Sequence, residues 1–223
     1  MGLFKPAWQG DNKEKALKAV EKEMNQNILA EITENAPLED VRKEAVKKLT
    51  DQSLLADVTV KSNDEYVRKY AVGKINDQAI LAHISNSCKN TNIRLMAAEK
   101  ILDQEKVRTI LTEIVKNEPD EYCRTKAVSM LNDQTILADI AKNDSSERVR
   151  LDAVEKITSQ TVLADIAKNY ENTYIHQEAI KLITDPEIIQ DILADIVRKD
   201  KTDTANPEYL VDTGNSIFGM LGV

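Results

Sequence analysis

Cysteine, histidine, glycine, proline and aromatic residues are all scarce in these 223 residues. The two cysteines, Cys88 and Cys123, lie far apart, which is no disulfide framework for a secreted domain. The two histidines, His83 and His176, have no paired His or adjacent Glu with which to build a metal site. Six glycines and five prolines exclude collagen-like and low-complexity character. An aromatic content of 4% argues against an all-β sandwich or barrel, whose strands draw on aromatic and β-branched side chains. No uninterrupted apolar run approaches the roughly 20 residues that cross a bilayer. The N-terminal Met1-Gly2-Leu3-Phe4-Lys5-Pro6 holds no apolar stretch of signal-peptide length. The expectation is a cytoplasmic chain that engages no membrane. Positive charge is also in deficit: 30 Lys and Arg against 38 Asp and Glu leave a net charge of −8, which repels nucleic acid overall.

Catalytic signatures are missing as well. There is no Gly-rich phosphate loop, no nucleophile elbow and no Cys–His pair. Asp212-Thr213-Gly214 matches the aspartic-protease triplet, but it occurs once, in a polar tail, without the second carboxylate that chemistry requires. The chain is expected to be no enzyme and to need no cofactor.

What it does have is a repeat, and repeats decide fold before anything else. Ala19, Ala45, Ala71, Ala97, Ala127, Ala153 and Ala179 recur every 26 residues, except for 30 between Ala97 and Ala127. Gln26, Gln52, Gln78, Gln104, Gln134 and Gln160, then Pro186, run in step, as do Ile32, Val58, Ile84, Ile114, Ile140, Ile166 and Ile196. The two irregular copies each add four residues at one place, between Gln104 and Leu111 and between Pro186 and Leu193. Four residues are close to one helical turn, so the inner face keeps its alignment; strands give no reason for that number.

Each copy holds two helical stripes. One repeats apolar residues as Val149, Ala153, Val154 and Ile157; the other as Ile136, Leu137, Ile140 and Ala141. The first kind follows Asp64, Asn90, Asp120, Ser146 or Asn172, all N-cap formers, while Leu38 breaks that column. The second kind follows Asn25, Asp51, Asp77, Asp103, Asp133, Ser159 and Asp185. Helices of about ten residues are marginal alone in water, so stacking on neighbours must hold them.

Leu-Ala-x-Ile in a capped helix, a short turn, then Val-Arg-x-x-Ala-Val resembles HEAT repeats, most of all the short HEAT-like repeats of bilin lyases. Val41-Arg42 with Ala45, Val67-Arg68 with Ala71, and Val149-Arg150 with Ala153 carry the match. The resemblance implies an all-α, right-handed α–α superhelix of the HEAT/armadillo-like solenoid kind, with about seven two-helix repeats. It divides the chain into an N-terminal cap segment (1–10), the solenoid (11–198) and a C-terminal tail or cap (199–223). Leu3, Phe4 and Trp8 are candidates to cover the first repeat.

Arg42, Arg68, Arg94, Arg124 and Arg150, ending in His176, fall inside the apolar arc of their helices. They are expected to form a structural ladder, with packed stems and guanidinium groups on carboxylates or helix-end carbonyls, rather than a stripe for an acidic partner. The acidic column Glu31, Asp57, Glu113, Asp139, Asp165 and Asp195 lies off the arc and is expected to be a solvated face. In HEAT-like stacks the second helix of each pair lines the concave surface. On it, Tyr70, Leu95, Met96, Met130, Leu151 and Leu182 mostly stand where neighbouring copies place charge, so they are the candidate partner surface.

The function expected is a non-catalytic scaffold that holds a protein or peptide on the concave face, acting as a monomer. The alternative is a bilin-lyase-like or chaperone-like accessory protein. A nucleic-acid-binding HEAT-like enzyme fits worse, because it wants a basic cleft with aromatic platforms and Trp8, the single Trp, precedes the repeats.

Overall fold

The computed structural model describes residues 5–169 and 173–200. After a 3₁₀ turn at Ala7–Gln9 come fourteen helices, and there is no strand among the described residues. They are α1 (Lys13–Lys22), α2 (Gln26–Asn35), α3 (Glu39–Lys48), α4 (Gln52–Lys61), α5 (Glu65–Lys74), α6 (Gln78–Ser87) and α7 (Thr91–Ala98). Then follow α8 (Gln104–Asn117), α9 (Glu121–Met130), α10 (Gln134–Asn143), α11 (Glu147–Glu155), α12 (Gln160–Asn169), α13 (Thr173–Leu182) and α14 (Pro186–Asp200). The two long helices, α8 and α14, are those carrying the four-residue insertions. No described helix is long and apolar enough to cross a membrane.

The chain divides into two units, Met1–Ile110 and Leu111–Val223. In the first, sequence neighbours pack as pairs (α2 on α3, α4 on α5, α6 on α7) and like helices stack on like (α1, α3, α5, α7; α2, α4, α6). The second repeats the scheme: α10 pairs with α11 and α12 with α13, while α9, α11, α13 and α10, α12, α14 form the layers. Among the described residues, the helices that pack extensively on one another are near neighbours in sequence, the packing economy of a helical repeat.

The columns explain this order. Ala45, Ala71, Ala97, Ala127, Ala153 and Ala179 have no exposed surface, and their methyls allow close helix approach. Apolar residues just past the odd helices (Leu49, Ile75, Ile101, Leu131, Ile157, Ile183) are buried too, anchoring the turns of three to five residues. The N-cap column ahead of the even helices is realised: Asn25, Asp51, Asp77 and Asp133 each accept two N–H bonds from the first turn. Asp64, Asn90 and Asp120 cap odd helices, accepting from the N–H groups of Val67, Ile93 and Tyr122 respectively. Leu38 offers α3 no such bond, as its side chain dictates. Ser146 departs from expectation: its hydroxyl donates to Glu121 Oε2 at 2.7 Å instead of capping α11. Asn172 lies outside the described residues.

Two polar ladders tie successive copies. Gln52 Oε1 accepts from the N–H groups of Asn76 and Asp77 (2.7 and 3.2 Å), and Gln134 Oε1 accepts from Thr158 and Ser159 (2.8 and 3.4 Å). Gln26 and Gln160 do the same one copy on. Lys48 Nζ donates to the carbonyls of Val20 and Glu21 (2.9 and 2.5 Å), Lys74 to that of Lys47 (2.5 Å), Lys100 to that of Gly73 and Lys156 to that of Ser129. A cation on helix-end carbonyls is favourable placement. At the N-terminus Trp8 is buried and its turn packs on α1. Leu3, Phe4 and the segment 201–223 lie outside the described residues.

Candidate functional site

The arginine column is structural wherever its bonds are visible. Arg42 donates Nε and Nη2 to Asp64 Oδ2 (3.1 and 2.9 Å) and Nη1 to the Ala36 carbonyl (2.9 Å). Arg68 reaches the Ser62 carbonyl, Arg94 the Ser85 carbonyl and Arg150 the Asp144 carbonyl. Asp64 therefore caps α5 and neutralises Arg42 together. Burial alone raises its carboxyl, but Arg42 and the N–H groups of Val67 and Tyr66 outweigh that and hold it below its ordinary 3.8. The same register 26 residues earlier pairs Ala16 with Leu38, so cap and counter-ion are lost together. His176 closes the column as a buried residue.

Arg124 is the most enclosed member. Nε and Nη2 grip Asp144 (3.0 Å each), Nη2 also reaches Ser145 Oγ (3.3 Å), and Nη1 binds the carbonyls of Glu118 and Pro119 (2.9 Å each). Those contacts engage all five guanidinium donors. The side chains of Arg124 and Asp144 are 8% and 5% exposed, and the carboxylate raises the guanidinium further. This clamp joins the turn after α8 to the turn after α10, at the end of a cleft of about 810 Å³. Val115 and Lys116 from α8, and Ile136, Asp139 and Ile140 from α10, form its walls.

The candidate partner surface is placed differently from its sequence reading. Leu95 is a correction: it has no exposed surface. The reason lies one turn on, where Ala98 stands in the column of Val46, Val72, Val128 and Val154. Leu95, on the same helix face as Ala98, is drawn in to fill the missing volume. Met130 and Leu182 are half-buried and occupy the column of the stapling lysines Lys48, Lys74, Lys100 and Lys156, a position at helix ends rather than on an open face. Met96 and Leu151 are half-buried on α7 and α11. Tyr70 is half-buried with its ring stacked on Tyr66 (centroids 5.7 Å, 22° between planes) and Lys74 Nζ 5.9 Å from its centroid. Lys43 Nζ lies 4.7 Å from the Tyr66 centroid, on the far side of the pair in sequence.

The exposed aromatic groups were not among those candidates. Tyr66, Tyr122 and Tyr174 are 39%, 55% and 67% exposed. All three hold the second position of their odd helix, where intervening copies carry Asp40, Asn92 and Arg148. That every-other-copy alternation is visible in the sequence once columns are aligned. Burial pushes the Cys123 thiol up to about 11, with its bond to Asp120 adding to the shift, so it is a packing group and not a ready nucleophile. Among the described residues no group of three or more His, Cys, Asp or Glu could hold a metal ion.

No family model and no curated protein matches the chain. One solved structure, described as "Computational Design of Self-Assembling Cyclic Protein Homooligomers", aligns over 92% of this chain and 75% of that one at 15% identity. Its TM-score of 0.15 is too low to carry an argument.

Proposed function

We propose that the chain is a non-catalytic, cytoplasmic scaffold whose helix pairs are seven HEAT-like repeats in a right-handed solenoid, and that its odd helices hold a protein or peptide partner. The observation that carries the reading is the alternating column of exposed tyrosines at Tyr66, Tyr122 and Tyr174. Tyr presents a large, rigid contact area with a polar tip, and it is enriched among residues that dominate interfaces. In the HEAT-like resemblance the odd helices are the ones that line the concave side. Leu151, half-buried on α11 in the same unit as Tyr122 and Tyr174, is a further apolar residue of those helices.

A photo-crosslinking amino acid placed at Tyr122 or at Tyr174 in the full chain tests this in cell extract. The same partner captured from both positions, and not from Asp57 on the acidic column, supports the reading. Equal capture from Asp57, or none from the tyrosine positions, sinks it. For the superhelix, small-angle scattering should give a radius of gyration well above the roughly 17 Å of a compact domain of this length. A value near that figure removes the solenoid.

A further inference from the structure

The cleft between α8 and α10 departs from the pattern of the interfaces that follow it. On the even helices, a lysine column (Lys116, Lys142, Lys168) stands ahead of an acidic one (Asp139, Asp165, Asp195), by 23 residues in the first two pairs and by 27 in the third, where α14 carries its four extra residues. Between α10 and α12, Lys142 bridges to Asp165; between α12 and α14, Lys168 bridges to Asp195 at 3.2 Å. Lys116 and Asp139 hold the equivalent positions and make no such bridge; both line the open cleft. Among the described residues, Asp139 accepts one bond, from Asn143 Nδ2 at 2.8 Å, which leaves acceptor capacity for a second partner.

The remaining chemistry narrows the occupant. Arg124, a buried residue of the cleft lining, has every donor engaged, so it shapes the cleft and does not recognise anions there. Glu118 and Asp139 against Lys116 leave the rim one charge negative once the Arg124–Asp144 pair is set aside. Half-buried Ile136, beside buried Val115 and Ile140, supplies an apolar wall. About 810 Å³ is within the roughly 300–1,000 Å³ of clefts that enclose a drug-sized group, enough for a few side chains.

We propose that this cleft, on the even helices and independent of the tyrosine face, is a second binding site for an extended peptide segment of a partner. The segment presents a Lys or Arg head to Asp139 and an adjacent aliphatic side chain to Ile136, while its backbone carbonyl accepts from Lys116. It completes across the cleft the ion pairing that Lys142–Asp165 and Lys168–Asp195 make directly.

The test uses the full chain with isoleucine methyl labels and three blocked pentapeptides of the form Ac-Gly-Leu-X-Leu-Gly-NH₂, where X is Lys, Gln or Glu. The Lys peptide should move the Ile136 and Ile140 methyl signals saturably below about 1 mM, the weak end of specific recognition. Asp139→Asn should weaken it about tenfold, the Gln peptide should bind more weakly to a similar degree, and the Glu peptide should not bind. Asp165→Asn, which removes an acid of the same column outside the cleft, should leave the affinity unchanged. No shift with the Lys peptide overturns the site. An equal loss in Asp165→Asn overturns it too, because general attraction to an acidic chain then accounts for the binding.

Discussion

At the scale of single residues, position in the column matters more than residue type. Arg42 and Arg124 share one register, yet the Arg124–Asp144 pair is nearly excluded from water and the Arg42–Asp64 pair less so. Removing one partner of a buried pair strands the other charge. Arg124→Met should therefore cost about 3–5 kcal/mol by chemical denaturation, while Arg42→Met should cost less. The sign of the pH effect follows at Asp64. Its carboxyl sits below 3.8 when folded, so its contribution is complete above that value and is lost as pH falls below it. Asp64→Asn should be less stable than the parent at neutral pH, and the gap should narrow as pH drops from about 4 toward 2. A gap that stays constant in a urea titration series would show that Asp64 acts as a neutral cap only.

At the scale of the element, the helices are short and lean on caps and neighbours. The alternation of apolar residues and the Asn/Asp/Ser columns made every even helix legible, because an N-cap is a local matter between a side chain and the next three N–H groups. Ser146 was misread for a reason that is not local: Glu121 on α9 competes for its hydroxyl. Gly73 is the one glycine within a described helix, and a methyl there would meet nothing within 4 Å. Gly73→Ala should stabilise the protein by about 0.5–1 kcal/mol, read from the denaturation midpoint. A loss of stability would mean that α5 is tighter around Gly73 than its open surroundings indicate.

At the scale of the molecule, the extensive packing among the described helices of each unit is between near neighbours, so whole periods should be removable. Deleting residues 52–77 joins Asp51 to Gln78 and preserves cap, glutamine and apolar stripe in register. That chain should remain helical by circular dichroism with a cooperative melt. Deleting residues 52–64 removes α4 alone, leaves α5 without its pair and should give an aggregating or molten product. If both deletions behave alike, contacts beyond the repeat hold the fold.

Periodicity alone determined the all-α class, the helix order, the turn positions and the buried alanine column, since each follows from spacing along one chain and from the need of an amphipathic helix to cover its stripe. The arginine ladder was legible too, because a charged residue inside an apolar arc must find its partners at the helix ends. Which surface residues are open was decided only by packing in three dimensions. Leu95 turned inward because a neighbour one turn away is small; Met130 and Leu182 sit where lysines staple helix ends; and Lys116 and Asp139, with the right spacing for a bridge, line a cleft and do not meet. Spacing along a chain specifies which groups can approach one another, whereas the volume left between two helices depends on every side chain that fills it.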